Sequence, residues 1–97
     1  MDLKVSLEQW RALLAVVDAG GYAPAAEALD KSQSAVSYAI QKLETALDVR
    51  VFRLEGRRAV LTEAGEILYR RAQALVEEAS RLELSAENLS RGVEAQL

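Results

Sequence analysis

Residues 32–47 read Ser-Gln-Ser-Ala-Val-Ser-Tyr-Ala-Ile-Gln-Lys-Leu-Glu-Thr-Ala-Leu, and the two faces of the helix they predict need different partners. Val36, Ile40, Leu43 and Leu47 recur at helical spacing and make one apolar stripe, which requires a core to lie against. Gln33, Ser34, Ser37, Tyr38 and Gln41 gather on the opposite side of the first turns. They are uncharged and can donate and accept hydrogen bonds, and tyrosine can also stack, which equips this side to touch base edges in a DNA groove. Ser32 is placed as the N-cap, its hydroxyl accepting from a free amide of the first turn; such free amides also suit a phosphate. An ordinary amphipathic surface helix has the same pattern, so the neighbouring elements decide between the readings.

Upstream, Leu7, Trp10, Leu13, Leu14 and Val17 predict a first helix with a broad apolar face, Trp10 in its core, ending at Gly20-Gly21. Pro24 fits the first turn of a second, short helix, where a missing amide proton costs nothing, and Ala25, Ala26, Ala28 and Leu29 come next. Asp30-Lys31 leaves room only for a tight turn before Ser32, so the two helices form a helix-turn-helix, a unit that is often purely structural. Downstream, Val49–Leu54 and Ala59–Leu61 are β-prone and flank Glu55-Gly56-Arg57-Arg58, which predicts a hairpin with a basic tip. From such a tip Arg57 and Arg58 can reach a phosphate or enter a narrow minor groove; the alternative is two solvated arginines. A hairpin directly after a helix-turn-helix makes a winged helix.

The last third predicts one long helix. Thr62 can cap it, Glu63 and Glu66 complement the positive end of its dipole, and the chain beyond them contains no proline. Leu68, Ala72, Leu75, Ala79, Leu82, Ala86, Leu89 and Val93 alternate steps of four and three, a heptad seam. A helix from Thr62 to about Ser90 would run roughly 42 Å, too long to bury its seam on the small domain before it. The expected partner is the same helix of a second chain, and the expected state a homodimer. Gly92 is a natural stop.

The 97 residues, 51% of them hydrophobic, support one small body without room for a deep catalytic cleft. The chain has neither cysteine nor histidine, which removes the commonest nucleophiles, bases and zinc ligands; no enzyme activity, metal or cofactor is expected. Nor does any segment read as a signal peptide or a membrane span, and a cytoplasmic location is expected. The net charge of −3 argues at first against nucleic acid, but residues 1–30, 31–71 and 72–97 carry −3, +3 and −3. Positive charge therefore lies in the segment with the predicted second helix of the pair and the hairpin, although a mixed solvated surface would look similar.

In sequence order these motifs resemble the LysR-type transcriptional regulators. The resemblance runs from about Leu7 to Leu89. It rests on Gly20-Gly21-Tyr22, Ala25-Ala26-Glu27-Ala28-Leu29, Ser32-Gln33-Ser34-Ala35-Val36-Ser37, Ile40, Leu43-Glu44, Val51-Phe52 and Leu61-Thr62-Glu63-Ala64-Gly65 at their mutual spacings. It implies a mainly α fold: a winged helix-turn-helix of three helices and a two-stranded β wing over residues 1–61, then a dimerisation helix over 62–97 pairing antiparallel with a second subunit. It also implies that Gln33, Ser34 and Ser37 face bases, that Ser32 contacts the backbone, and that Arg57 enters the minor groove. A small-molecule effector would act only through a C-terminal ligand-binding domain, which these residues do not include. The sequence departs from the family pattern at Ser34, where many members have proline, at Tyr38, where many have arginine, at Asp48 for glycine, and at Leu54 for a basic residue. A tyrosine cannot grip guanine as an arginine fork does. It can instead pack on a thymine methyl, bond a phosphate or lie against the domain.

The expected function is sequence-specific binding of double-stranded DNA at an inverted repeat. The DNA-binding residues would be Ser32, Gln33, Ser34, Ser37, Tyr38, Gln41, Arg57 and Arg58, and the dimer interface Leu68, Ala72, Leu75, Ala79, Leu82, Ala86 and Leu89. The alternative is a helical module that dimerises or recruits a protein.

Overall fold

The structure, a computed structural model, describes residues 2–92; Val93, the last seam position, lies outside the described residues. The chain folds as α1 (Leu7–Ala19), α2 (Tyr22–Leu29), α3 (Gln33–Leu47), β1 (Phe52–Glu55), β2 (Arg58–Leu61) and α4 (Glu63–Ser90). Three helices, a wing and one long helix are the architecture expected from the sequence.

Local chemistry sets each boundary. Ser6 and Gln9 form a capping box at the start of α1, the Ser6 Oγ accepting from the Gln9 amide at 3.2 Å and the Gln9 Oε1 from the Ser6 amide at 2.7 Å. Gly20 ends α1 with a left-handed φ of 89°. α2 starts two residues ahead of Pro24 and ends at Asp30, φ 55°; α3 ends at Asp48, φ 52°. Asp48 thus adopts the conformation a glycine would supply, which a short polar side chain tolerates.

The core is built where α1, α2 and α3 meet. Leu13, Val16, Ala25, Ala26, Val36, Ile40, Leu43, Val51 and Phe52 belong to one buried cluster. Ala25 and Ala26 are the buried residues of α2, and their small side chains leave room for its neighbours to approach. Tyr22 meets the Phe52 ring edge-on, centroids 6.0 Å apart, and this burial raises the phenol's pKa. Leu47, expected on the buried stripe, is 38% exposed because α3 has reached its last turn and runs past the core.

The hairpin is shorter at one end and tighter at its tip than the sequence predicts. β1 and β2 pair antiparallel with Glu55 opposite Arg58, so the turn is only Gly56-Arg57 and Arg58 belongs to the ladder. Gly56 takes a φ of 64° at the first turn position, where a two-residue hairpin loop favours glycine. Val49–Val51 are not strand, because the amide of Val51 is taken by α3 and only its carbonyl continues the ladder. Its amide donates to Glu44 Oε2 at 2.8 Å and its carbonyl accepts from the Thr62 amide at 3.0 Å.

α4 begins as expected at Thr62, whose Oγ1 accepts from the Gly65 amide at 2.9 Å while donating to the Arg50 carbonyl at 2.5 Å. Its first half packs on α1, and Tyr69 Oη donates to Asp18 Oδ1 at 2.5 Å, which raises the phenol's pKa because the hydrogen bond favours its protonated form. The rest of the helix extends away, and the body is 56 Å along its longest axis. Gly65 is buried against the Val51 carbonyl. A Cβ there would collide with that oxygen and stand 2.9 Å from Leu61 Cδ2. Gly65→Ala should therefore lower unfolding stability in urea by about 1–3 kcal/mol, toward the upper end because backbone must move; an unchanged midpoint would contradict this packing.

Candidate nucleic-acid interface

The buried stripe of α3 settles which way its polar face points. Val36, Ile40 and Leu43 are 1%, 2% and 0% exposed, so the side chains diametrically across the helix stand in solvent. Gln33, Ser34, Tyr38 and Gln41 are exposed and Ser37 is half-buried. Tyr38 is 61% exposed, so its ring does not lie buried against the domain.

Ser32 caps α3 through its Oγ, which accepts from the Ala35 amide at 3.1 Å and lies 3.2 Å from Ser34 Oγ. This bond fixes the first turn of the helix, and with it Gln33 and Ser34. Lys31 precedes the cap, but its ammonium is engaged by Glu8 at the start of α1. The hydrogen bond and charge of Lys31 hold the Glu8 carboxyl below its ordinary pKa.

Lys42, one turn beyond Tyr38, carries its ammonium 5.7 Å from the centroid of the Tyr38 ring. Lys42 is absent from the residues that the sequence reading assigns to DNA. Its signal is nonetheless in the sequence: position 42 lies one helical turn from Tyr38 on the exposed side, and a reading centred on uncharged base-contacting residues passes over it.

The wing supplies a second group. Arg57 and Arg58 are exposed, Arg57 in the turn and Arg58 as the first residue of β2. Nearby, Arg53 Nη2 is paired with Glu55 at 2.8 Å. Among the described residues, Arg57, Arg58 and Lys42 have no acidic partner, whereas the acidic groups Glu8, Glu44 and Glu55 are each tied to a cation or to backbone amides. Leu54 is 75% exposed on the wing, on the same face as Phe52 but beyond the reach of the core.

The predicted seam residues divide. Ala72 is 3% exposed within the single chain, where α4 lies on α1, so it has no surface to offer a second chain; Leu68 is half-buried against the core. Trp10 is half-buried, not central, and with Leu68, Arg71, Ala72, Ala74 and Leu75 lines an open groove between the two helices. Beyond it Ala79 is half-buried and Ala86 exposed, while Leu75, Leu82 and Leu89 are 47%, 68% and 54% exposed. Among the described residues no helix is long and apolar enough to cross a membrane, and no group of acidic residues could hold a metal ion.

Residues 7–66 match the sequence profile of the bacterial regulatory helix-turn-helix protein, lysR family. The chain belongs to the LysR family. It is 41% identical over 93 residues to the HTH-type transcriptional regulator YhaJ of Escherichia coli O157:H7, covering 96% of this chain and 31% of that protein. The crystal structure of CbnR, a LysR family transcriptional regulator, superposes with a TM-score of 0.85 at 31% identity, over 91% of this chain and 30% of that one. The crystal structure of a CbnR_DBD–DNA complex gives 0.81 at 29% identity, over 89% of this chain and 99% of that one. The chain thus has the fold of a LysR-family DNA-binding domain, and it spans about a third of the full-length relatives.

Because the Ser32 hydroxyl is the side-chain cap of α3, Ser32→Ala should cost about 1 kcal/mol of stability in thermal or chemical unfolding. Ser32→Asp, which preserves an acceptor, should retain most of it; equal losses for both would rule out the capping role.

Proposed function

We propose that this chain is the sequence-specific double-stranded DNA-binding part of a bacterial LysR-type transcriptional regulator. α3 enters the major groove and the wing the adjacent minor groove. The observation that carries this reading is the orientation of α3: its apolar stripe is consumed by the core, which leaves outward a polar face and a lysine without an acidic partner among the described residues, next to an arginine-tipped hairpin. Gln33, Ser34 and Ser37 read base edges from the first two turns. Tyr38 offers a hydroxyl and an apolar ring edge, suited to a thymine methyl or a phosphate, and Gln41 lies one turn further along. Ser32, Lys42 and Arg58 contact phosphates and set the register, and Arg57 enters the minor groove. Such a regulator works in the cytoplasm, and its small-molecule effector acts through a C-terminal domain of the kind the longer relatives have room for.

The test is fluorescence anisotropy of the chain with a duplex selected from a random pool and with the pool itself, across a salt series. The selected duplex should bind far more tightly, with affinity falling steeply as salt rises through counterion release. Arg57→Ala should weaken binding about tenfold and reduce the salt slope by about one. Gln33→Ala should instead erase preference at one base position, about 1–3 kcal/mol of discrimination. Equal binding of pool and selected duplex at all salt concentrations would remove the assignment.

We further propose that a second copy covers the exposed leucines of α4, Leu75, Leu82 and Leu89 with Ala79 and Ala86, as an antiparallel helix pair. Residues 1–61 would form the head of each protomer and residues 62–97 the pairing helix. Two-fold symmetry then requires an inverted-repeat operator, its half-sites spaced by about 34 Å or a multiple of it. Leu82→Glu, at a site that contributes nothing to the folded protomer, should convert the dimer to a monomer in sedimentation velocity without loss of helix signal; a persistent dimer would move the interface elsewhere.

A further inference from the structure

Beyond the apolar packing of Val51 and Phe52, one polar side chain ties the wing to the recognition helix. Glu44 stands on α3, one residue past the buried Leu43 and three past Gln41, and its carboxylate is 17% exposed. A single oxygen, Oε2, accepts from the Val51 amide at 2.8 Å and, more weakly, from the Phe52 amide at 3.4 Å. These are the last amide before β1 and the first one in it. On the far side the same segment is held by α4, through Thr62 Oγ1 on the Arg50 carbonyl and the Thr62 amide on the Val51 carbonyl. The Glu44 carboxylate is therefore the polar side chain that ties α3 to the wing strand. Arg50 Nε is 3.8 Å from the same carboxylate, but the arginine is 79% exposed, so screening leaves that ion pair little influence.

We infer that Glu44 is a positioning residue for DNA binding: by fixing the start of β1 to α3, it sets the wing tip where Arg57 meets the minor groove while α3 occupies the major groove. This rests on the DNA-binding reading proposed for the chain. A two-stranded hairpin held only at its base transmits any rotation there to its tip, and Gly56-Arg57 lies a full strand length, roughly 13 Å, from Phe52. A small tilt at Val51 therefore displaces Arg57 by several ångströms, enough to lose a groove contact. The first turns of α3, by contrast, are held by Ser32 and the core stripe and do not depend on Glu44. What matters at position 44 is an acceptor at the correct reach, and charge is secondary. Glutamine keeps a carbonyl oxygen there; aspartate keeps the charge but is one methylene too short.

The experiment is a double-mutant cycle on the whole chain, read by anisotropy with the selected duplex, with helix content checked by circular dichroism. Arg57→Ala should cost about tenfold in affinity in the unaltered chain and about twofold or less in Glu44→Ala or Glu44→Asp backgrounds, and should keep its full cost in Glu44→Gln. The base preference assigned to Gln33 should survive in all three. If Glu44→Ala does not fold, the Asp and Gln variants decide. Full additivity of Glu44→Asp with Arg57→Ala would overturn the inference, as would loss of the Arg57→Ala cost in Glu44→Gln, collapse of the Gln33 preference in every background, or an Arg57→Ala with no cost in the unaltered chain. Failure of the unaltered chain to bind any duplex would instead bring down the DNA-binding reading itself.

Discussion

Everything that faces outward from this domain depends on how Val36, Ile40 and Leu43 are seated against Leu13 and the alanines of α2. Each of these large side chains is almost wholly removed from water, and burial of a side chain of that size contributes about 1.5–3 kcal/mol. Turning α3 by a single residue, about 100°, would bring Ser37 and Gln41 inward and push Ile40 out. The cost would then combine lost apolar burial with polar groups lacking partners. The rotation of the helix about its axis is therefore fixed by hydrophobic energy, and the polar residues that project from it need no contact of their own to be aimed.

A second constraint joins the wing and α4 to that helix. The Val51 peptide has its amide on Glu44 and its carbonyl on the Thr62 amide, and Gly65 lies against the same carbonyl with no room for a Cβ. The backbone of one residue thus links recognition helix, wing and long helix. This explains in physical terms why the chain has glycine in the first turn of α4, where helix propensity alone would disfavour it. It also explains why a segment rich in β-branched residues, Val49–Val51, does not extend the strand. The Val51 carbonyl still bonds Thr62 in register with the ladder, but the Val49 and Val51 amides are both taken by Glu44, through its carbonyl and its carboxylate.

Helix spacing, caps and the presence of the hairpin were legible because each is a local pattern, although the turn is tighter than the sequence predicts. The stripe of α3, the Ser32 and Thr62 caps and the helical span of α4 are all readable from residues no more than a few turns apart. Glu44 was not legible in the same way. A glutamate after a buried leucine looks like any surface helix residue until the chain returns to present amides to it. The burial of Ala72 against α1 was hidden for a related reason: a heptad seam specifies which residues share a face and says nothing about whether α1 or another protomer covers it. The exposed, polar face of α3 could be located from periodicity, but the availability of its cations could not. Lys31 sits closer to the helix start than Lys42, yet Glu8 engages Lys31 and leaves Lys42 to the Tyr38 ring.

That last distinction resolves the tension between a net charge of −3 and a nucleic-acid partner. Long-range attraction scales with the field of the whole protein, and ionic strength screens it beyond about 8 Å. At contact, the charges within that distance decide. Around α3 and the wing, Glu8, Glu44 and Glu55 are each already engaged, by Lys31, by the backbone amides of β1 and by Arg53, which leaves Asp30 and Asp48, flanking α3, as the carboxylates there without a cationic partner among the described residues. A carboxylate so engaged repels a phosphate less than a free one, because its partner's charge or dipole lies within the same screening length. Lys42, Arg57 and Arg58 have no such neutralising neighbour among the described residues. The acidic excess of the chain lies at its two ends, in α1 and α2 and in the far half of α4, and an acidic domain can in this way present a locally cationic surface.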